Sequence, residues 1–375
     1  MVVHSVAVVG GGIAGLTLAA ALDPARFDVT ILEAQPERTT GAALGLWVDA
    51  RRMLDEIGVD IAAFADGPSG DGYGVSRTRG GPREPARVAL HTMSGRRLLC
   101  VPAPPVVQVR RAELMTALRQ RAPHVVSHRV NDPRDLDADL VVGADGVRSR
   151  VRGVVDPQRA RRRPTRWMTL RGIAPHVGDL DEHDALAREF WGGGRLFGDA
   201  PVRGGRYWFT AHATPPPAAS SSVGASSAGA GSSSQPVVPD PRSAPEPSET
   251  LDVAAVLDEA RRRFADAAPL VRDALAAADE ATLATRLWVA PPMRRYVRGR
   301  YVVIGDAAHA ALPNLARGAS DAIVDAVTLA RTLEEGGSVQ AWQRRRLPAT
   351  QATRLGAAAV MGVATGLGRF PGSPH

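Results

Sequence analysis

The sequence predicts an α/β protein with a Rossmann-type parallel sheet, an inserted and mostly antiparallel β-sheet domain, and a helical C-terminus. Three junctions, each an apolar strand running into a glycine turn, predict the parallel sheet. They are VAVVGGGIAGLTLAAAL (Val6 to Leu22), DADLVVGADGVRSRVR (Asp137 to Arg152) and GRYVVIGDAAHAALPNLARGASDAIVDAVTLA (Gly299 to Ala330). Between them, short strand-like runs separated by glycine-rich turns predict the second sheet.

The first junction carries Gly10, Gly12 and Gly15 in a G-x-G-x-x-G turn, followed by Ile13 and Ala14 at the helix start. The first glycine allows the tight turn and the second lets the backbone approach a pyrophosphate. The third lets helix and strand pack closely, with phosphates at the positive helix N-terminus. The next strand, DVTILEA, ends on Glu33 and Ala34. A carboxylate roughly 20 residues after the turn accepts hydrogen bonds from a ribose and repels a phosphorylated one. This first unit therefore suits the adenosine half of FAD or NAD. The second junction places Gly143, Asp145 and Gly146 before a helix carrying Arg148, Ser149 and Arg152; the third places Gly305 and Asp306 before Pro313 and a further helix. Three such turns from distant parts of one chain imply a cofactor long enough to touch all three.

With these motifs in this order along nearly the whole chain, the sequence resembles the class A FAD-dependent monooxygenases, the aromatic hydroxylase family with salicylate hydroxylase-like and zeaxanthin epoxidase-like members. The resemblance assigns Gly10, Gly12, Gly15 and Glu33 to the adenosine diphosphate. It assigns Arg111, in RRAELMTAL, to the ribityl and phosphate portion. Asp145 and Gly146 match a DG motif tied to FAD and nicotinamide binding, Asp306 a carboxylate that bonds the ribityl chain, and Pro313 a proline beside the flavin ring. It implies FAD as cofactor, NADPH or NADH as transient reductant, and transfer of one oxygen atom from dioxygen to a small hydrophobic, aromatic or unsaturated molecule. No protein nucleophile or acid–base pair follows from that chemistry, so no catalytic residue is named. Two alternatives remain: a flavin oxidoreductase without oxygen insertion, and a non-catalytic FAD-binding accessory protein.

The chain departs from the family pattern after the proline. Where relatives usually read glycine, glutamine, glycine, this sequence has Ala316, Arg317 and Gly318, followed by Ala319, Ser320 and Asp321. A guanidinium near the flavin's pyrimidine edge would favour the anionic reduced ring and a carboxylate would oppose it. The spacing predicts instead that Arg317 and Asp321 pair at i and i+4. Ala316 removes a glycine where the backbone approaches the cofactor, which puts ordinary turnover in question.

Bland readings stand beside several of these residues. Asp306 could be a plain helix N-cap. His309 is expected to pack or to bond backbone, and two readings of Arg148 and Arg152 stay open: cofactor contacts or solvated helix charges. Cys100 reads as a small hydrophobe.

The expected FAD-binding part comprises residues 1–73, 102–165 and 291–330; the substrate part 74–101 and 166–290; the helical C-terminal region 331–375. Strands are expected at Gly74 to Arg79, Val88 to His91, Arg97 to Val101, Trp167 to Ile173, Ala187 to Trp191 and Tyr207 to Ala213. The pocket candidates on or beside this sheet are Trp47, Arg171, Trp191, Phe209 and His212, although aromatics in alternating strands also build plain core. Residues 214–250 are rich in Ser, Ala, Pro and Gly and cannot build a core. Enlarging a loop from about 5 to about 37 residues costs roughly 2 kcal/mol of closure entropy. A mobile cover and inert decoration are the two readings of this insertion. A helix from Leu251 to Ala268 follows.

At 375 residues the chain exceeds one usual domain. All 46 basic residues are arginine, so the formal charge of +7 reflects coding composition as readily as a selected surface. The clusters Arg159 to Arg163, Arg261 to Arg263 and Arg344 to Arg346 carry no interleaved aromatics and read as solvated faces, so no nucleic-acid partner is expected. A single cysteine fits a reducing, cytoplasmic compartment. The N-terminus lacks a basic signal-peptide region, and no apolar run is long enough to span a bilayer. No metal-ligand cluster or Ser-His-Asp motif appears. The expected partner is a small-molecule substrate, and the expected state is monomer or homodimer.

Overall fold

A computed structural model describes residues 3–37, 41–61, 87–102, 106–122, 125–174, 187–202, 205–214, 251–279 and 281–366, with the backbone alone at 75–76 and 84–85. The Ser/Ala/Pro/Gly-rich insertion lies outside these residues except Thr214, as does most of the strand expected at Gly74 to Arg79.

Six strands form the parallel sheet in the order Val297–Arg298, Tyr301–Val303, Leu140–Gly143, Ser5–Val9, Asp28–Glu33, Val125–Ser127; only the first pair is antiparallel. The strands of the three glycine junctions are neighbours, with Val8 opposite Val142 on one side and Ile31 on the other. The order reverses beside Ser5–Val9, so the crevice at the carboxyl ends of these strands is the switch point where such folds bind ligands. Val8, Ile31, Val141, Val142, Val302 and Val303 are fully buried, as a sheet covered on both faces requires.

A second sheet of seven strands runs Leu283–Val289, Arg163–Ala174, Gly205–Ala213, Arg195–Val202, Ala187–Gly192, Arg87–Thr92, Arg97–Pro102. It is antiparallel except where Ala187–Gly192 meets Arg87–Thr92. A two-stranded ribbon, Ala43–Trp47 with Val106–Arg110, lies beside it. The fold class thus agrees with the sequence reading. Two strands of the seven-stranded sheet, Arg195–Val202 and Leu283–Val289, were not foreseen, because glycine in the first and charge in the second blur the alternation.

The helix expected over 251–268 is the shorter Val253–Arg263, and a second helix, Pro269–Ala276, follows it. The Asp252 carboxylate caps the first by accepting the Ala255 N–H at 3.1 Å, while Pro269 opens the second, where a missing N–H costs nothing. Both helices cover one face of the seven-stranded sheet through Leu257, Phe264, Val271 and Leu275, packed on Leu170, Phe197 and Trp208. The C-terminal region consists of helices Gly318–Glu334 and Val339–Gly366. Among the described residues no helix is long and apolar enough to cross a membrane.

Two of the three arginine clusters send one member inward, whereas Arg261, Arg262 and Arg263 stay exposed. Arg162 lies 3.4 Å above the Trp288 ring, and Arg261 donates to the Leu275 carbonyl. Arg346 turns inward while Arg344 and Arg345 stay exposed, because a helix sends neighbours in different directions. Arg152 is fully buried: it donates to the carbonyls of Arg159 at 2.8 Å, Ala307 at 2.7 Å and Pro291 at 2.6 Å. Burial lowers its pKa to about 10, and the solvated-charge reading of this residue is overturned.

His212 belongs to the covered face. It stands opposite Met168 and Arg195 and meets the Phe264 ring edge-on at 6.1 Å. Both of its ring nitrogens are buried without a hydrogen-bond partner among the described residues. Burial lowers its pKa to about 4, against a raising influence from Glu259 and a further lowering by Arg263. A histidine depressed in this way takes its proton in the unfolded chain first, so stability is lost as pH falls from 6.5 toward 4. The loss attributable to His212 is about 3 kcal/mol at ~1.4 kcal/mol per pH unit. Urea unfolding across that range should show His212→Leu free of this slope; parallel profiles for the two proteins would exclude the assignment.

Candidate functional site

The three glycine junctions converge, and their glycines fall into two kinds. At Gly10, with φ +106°, a Cβ would overlap the Ala144 carbonyl of the neighbouring junction; at Gly15 it would overlap the Gly10 carbonyl. These two are required by packing. At Gly12, Gly146 and Gly318 a Cβ would meet no atom of the described residues within 4 Å. Their missing side chains border open space. Gly12 is also the N-cap of helix Ile13–Ala21 and offers no side-chain cap, so the first helical N–H groups keep their donors for an anion. Ile13 and Ala14 are buried beneath the turn, and the Ala14 methyl lies 3.1 Å from the Cβ position of Gly305, where the first and third junctions meet.

Glu33 accepts the Gly11 N–H at 2.7 Å on one oxygen and the Gln35 N–H at 2.8 Å on the other. A carboxylate has about four acceptor positions, so about two remain for ribose hydroxyls. Ala34 beside it is exposed. Asp145 behaves differently. Its Oδ2 accepts the Arg150 N–H at 2.7 Å and caps the helix that follows, while its Oδ1 is buried without a partner among the described residues; burial raises its pKa.

Asp306 follows Gly305 at the third junction. Gly305 has φ +57° and is the N-cap of the short Asp306–His309 helix, with no side-chain cap bond, so the capping reading of Asp306 does not apply there. Asp306 is exposed on a segment whose neighbours are buried, and its charge acts on Arg111. Burial lowers the Arg111 pKa, Asp306 counters that effect and Arg171 adds to it, so the three charges gather in one place. Gly41, with φ +142°, makes room for the Arg111 side chain, which a Cβ there would overlap.

The altered loop is braced rather than loose. Pro313 is exposed at the start of a single 3-10 turn, Pro313–Leu315, which ends on Ala316 at φ 49°, ψ 27°. This is the one positive-φ residue other than glycine among the described residues. Trp47 donates from its indole Nε1 to the Leu315 carbonyl at 3.1 Å, and its backbone N–H donates to Ser320 Oγ at 3.0 Å. Arg317 lies over the Trp47 ring at 5.2 Å, donates to Asp49 at 2.8 and 3.2 Å, and to Asp321 at 2.9 Å. The i, i+4 pairing expected for Arg317 and Asp321 is present, with Asp49 as an unforeseen second carboxylate. The αL conformation costs a non-glycine residue roughly 1 kcal/mol. Ala316→Gly should therefore stabilise the chain by up to about that amount; thermal unfolding reads it, and a loss of stability would mean that the alanine methyl contributes more by packing on Gly45 than the backbone costs.

Behind the loop the charges continue inward. Arg346 Nε donates to Asp325 Oδ1 at 2.7 Å and lies 3.8 Å from Asp321; His309 Nε2 meets Asp325 Oδ2 at 2.6 Å; the Gly305 N–H donates to the same oxygen at 2.9 Å. Burial disfavours both charges of the inner pair, yet each sustains the other: Asp325 raises the His309 pKa, while His309 and Arg346 hold Asp325 below its ordinary value. His309 thus holds a buried carboxylate rather than packing or bonding backbone. Asp325 and Gln108 are functional candidates that the sequence reading missed. Gln108 stands opposite Gly45, and its Oε1 is buried without a partner among the described residues. The signal available for both was one polar residue in an apolar run, AIVDAV and VVQVR.

The seven-stranded sheet turns its other face toward the loop. Trp167, Trp191, Leu196, Phe209 and Ala211 form one cluster with Leu312, Met361 and Ala364. Arg171 stands opposite Phe209, on that same face. Four pocket candidates, Trp47, Arg171, Trp191 and Phe209, therefore lie on the loop side. His212 does not: with a strand period of two it shares the opposite face with Trp208 and Thr210, which corrects its assignment.

The FAD binding domain family matches residues 4–212 and 244–361 of this chain. An aurachin C monooxygenase/isomerase from Stigmatella aurantiaca is 28% identical over 88% of this chain and 80% of its own length. A 3-amino-4-hydroxybenzoate 2-monooxygenase from Streptomyces cremeus is 30% identical over 92% of this chain and 84% of its own. Among solved structures, Klebsiella pneumoniae HpxO complexed with FAD and uric acid superposes with a TM-score of 0.72 at 23% identity, covering 97% of this chain and 89% of that one. A salicylate hydroxylase substrate complex superposes at 0.70 with 21% identity, covering 98% and 90%.

Proposed function

This chain belongs to the FAD binding domain family, and from that premise we propose that it oxygenates a small aromatic molecule held between the seven-stranded sheet and the loop at 313–319. It is an FAD-dependent oxidoreductase of the monooxygenase kind. The observation that carries the site assignment is the cradle: three glycines bordering open space, an uncapped helix N-terminus, and the Arg111 and Asp306 charges in one crevice. Buried oxygens without partners on Asp145 and Gln108 are consistent with a polar guest there.

Bound FAD supplies reduction by NADH or NADPH and the activation of dioxygen. The protein's part is positioning. The N–H groups after Gly12 would hold the pyrophosphate, Glu33 a ribose hydroxyl, Arg111 a phosphate or ribityl oxygen by its rigid fork of donors, and Asp306 a ribityl hydroxyl. Pro313, Gly318 and Ala319 would border the ring, and Gly146 would leave room beside it. Arg317 shares its charge with Asp49 and Asp321, so we read it as a brace for the loop rather than as a free cation at the flavin. Trp191 and Phe209 would line the substrate side and exclude water.

We divide the chain into an FAD-binding part, 1–73, 102–165 and 291–330, a substrate part, 74–101 and 166–290, and a C-terminal helical region, 331–375, with the correction that Pro102 and residues 163–165 lie on strands of the seven-stranded sheet and go with the substrate part. Aromatic compounds named for the relatives support an aromatic substrate, and a single cysteine supports a reducing, cytoplasmic setting. The test is to mix the FAD-loaded protein anaerobically with NADPH and with NADH and follow the flavin's visible absorbance. Bleaching supports the reading and names the reductant; persistent yellow with both, even with aromatic compounds added, counts against it. Asp306→Ala should raise the dissociation constant for FAD by about 10-fold or more, the value of one charge-assisted hydrogen bond. An unchanged constant in a fluorescence titration would remove Asp306 from the site.

A further inference from the structure

We infer that Glu189 selects the substrate, as the hydrogen-bond acceptor for an aromatic ring that carries an amino or hydroxyl donor, with Phe209 as the platform for that ring. The inference rests on the monooxygenase reading and specifies the substrate class of the same site.

Glu189 and Trp191 are two residues apart on Ala187–Gly192, hence on one face, and the Trp191 indole Nε1 donates to Glu189 Oε2 at 2.7 Å. Trp191 packs against the same apolar cluster as Leu312, next to the loop. Cross-strand register continues the row from Glu189 to Gly198, Phe209 and Arg171. Gly198 is the gap in that row. A Cβ there would overlap the Phe209 ring, so the ring lies across the glycine and makes a flat apolar floor between the carboxylate and the guanidinium. Three strand spacings, about 14 Å, separate the ends of the row, which the two side-chain arms shorten to the scale of one substituted ring.

A carboxylate on so apolar a face is costly unless donors reach it. Trp191 supplies one, whereas an ionised carboxylate accepts about four. Burial raises the Glu189 pKa accordingly, which marks a group in need of further donors. A ring bearing N–H or O–H fills that need, and a ring without them leaves the carboxylate poorly solvated. Sites built in this way reject analogues that lack the donor more strongly than apolar pockets reject a missing methylene.

The test titrates FAD-loaded protein with matched probes, 4-methylphenol against 4-methylanisole and 4-methylaniline against its N,N-dimethyl derivative, read by tryptophan quenching and flavin difference spectra. Wild type should bind the donor of each pair at least about 10-fold more tightly. Glu189→Gln, nearly isosteric, should cut that preference to below about 3-fold, and Glu189→Leu should abolish it while binding the donor-free probes at least as well as wild type does. The proposal fails if wild type shows no preference or if either variant keeps it. FAD content and bleaching by NADPH or NADH are measured on the same preparations. Their loss in wild type would count against the monooxygenase reading, whereas normal bleaching with no donor preference would count against Glu189 alone.

Discussion

Asp325→Ala is expected to cost about 3–5 kcal/mol of stability, the penalty for breaking a buried pair while leaving a charged partner behind. Asp325 is fully buried and receives three groups: His309, Arg346 and the Gly305 N–H. Removing it strands the Arg346 guanidinium in low dielectric, takes from His309 the carboxylate that sustains its charge, and frees the turn that carries Asp306. Urea unfolding of the FAD-free protein measures the first effect, and FAD titration of the surviving folded fraction the second. The pH dependence carries a sign. His309, with its raised pKa, contributes stability that is complete below the ordinary histidine value and is lost as pH rises through the raised one; Asp325, depressed, contributes stability that is lost as pH falls through its lowered one. Wild type should therefore weaken at both ends of the range where the variant does not. Asp49→Ala breaks an ion pair whose carboxylate is 40% exposed and should cost no more than about 1 kcal/mol. A loss below that level for Asp325→Ala as well would mean that the inner pair is not held as described.

Gly12→Ala and Gly15→Ala should fail in opposite ways. A methyl at Gly12 meets nothing among the described residues, so the chain should fold with a loss of about 1 kcal/mol or less while FAD affinity falls at least tenfold. A methyl at Gly15 overlaps the Gly10 carbonyl between strand and helix and should cost about 1–3 kcal/mol or more before any ligand is added. Unfolding without FAD, followed by FAD titration, separates the two. If Gly12→Ala binds FAD as wild type does, the open space at the helix N-terminus is not where the pyrophosphate lies.

The contrast between these glycines shows how far the motif could be read. G-x-G-x-x-G marks a turn, a close approach and a packing contact, but the neighbour of Gly10 is Ala144, contributed by a junction more than a hundred residues away. Arg317 and Asp321 were paired from spacing alone because one helical turn brings i and i+4 together. Asp49 could not be added to that pair from spacing, since it arrives on a different helix. His309 beside a cofactor motif gave no hint of Asp325 for the same reason.

By itself, the sequence determined the fold class and the order of the glycine junctions, since these rest on turn chemistry and periodicity within a few residues of each position, and through the resemblance that these motifs carry it pointed to the family and to FAD. Tertiary structure alone decided that His212 faces the helices while Phe209, three residues earlier, faces the loop, and that Arg152 and Arg346 are internal while Arg150, Arg344 and Arg345 are solvated. A strand's two faces differ by a single step, and which of them becomes the interior depends on what docks there from elsewhere in the chain. Buried charges, likewise, are specified only by partners that folding brings to them.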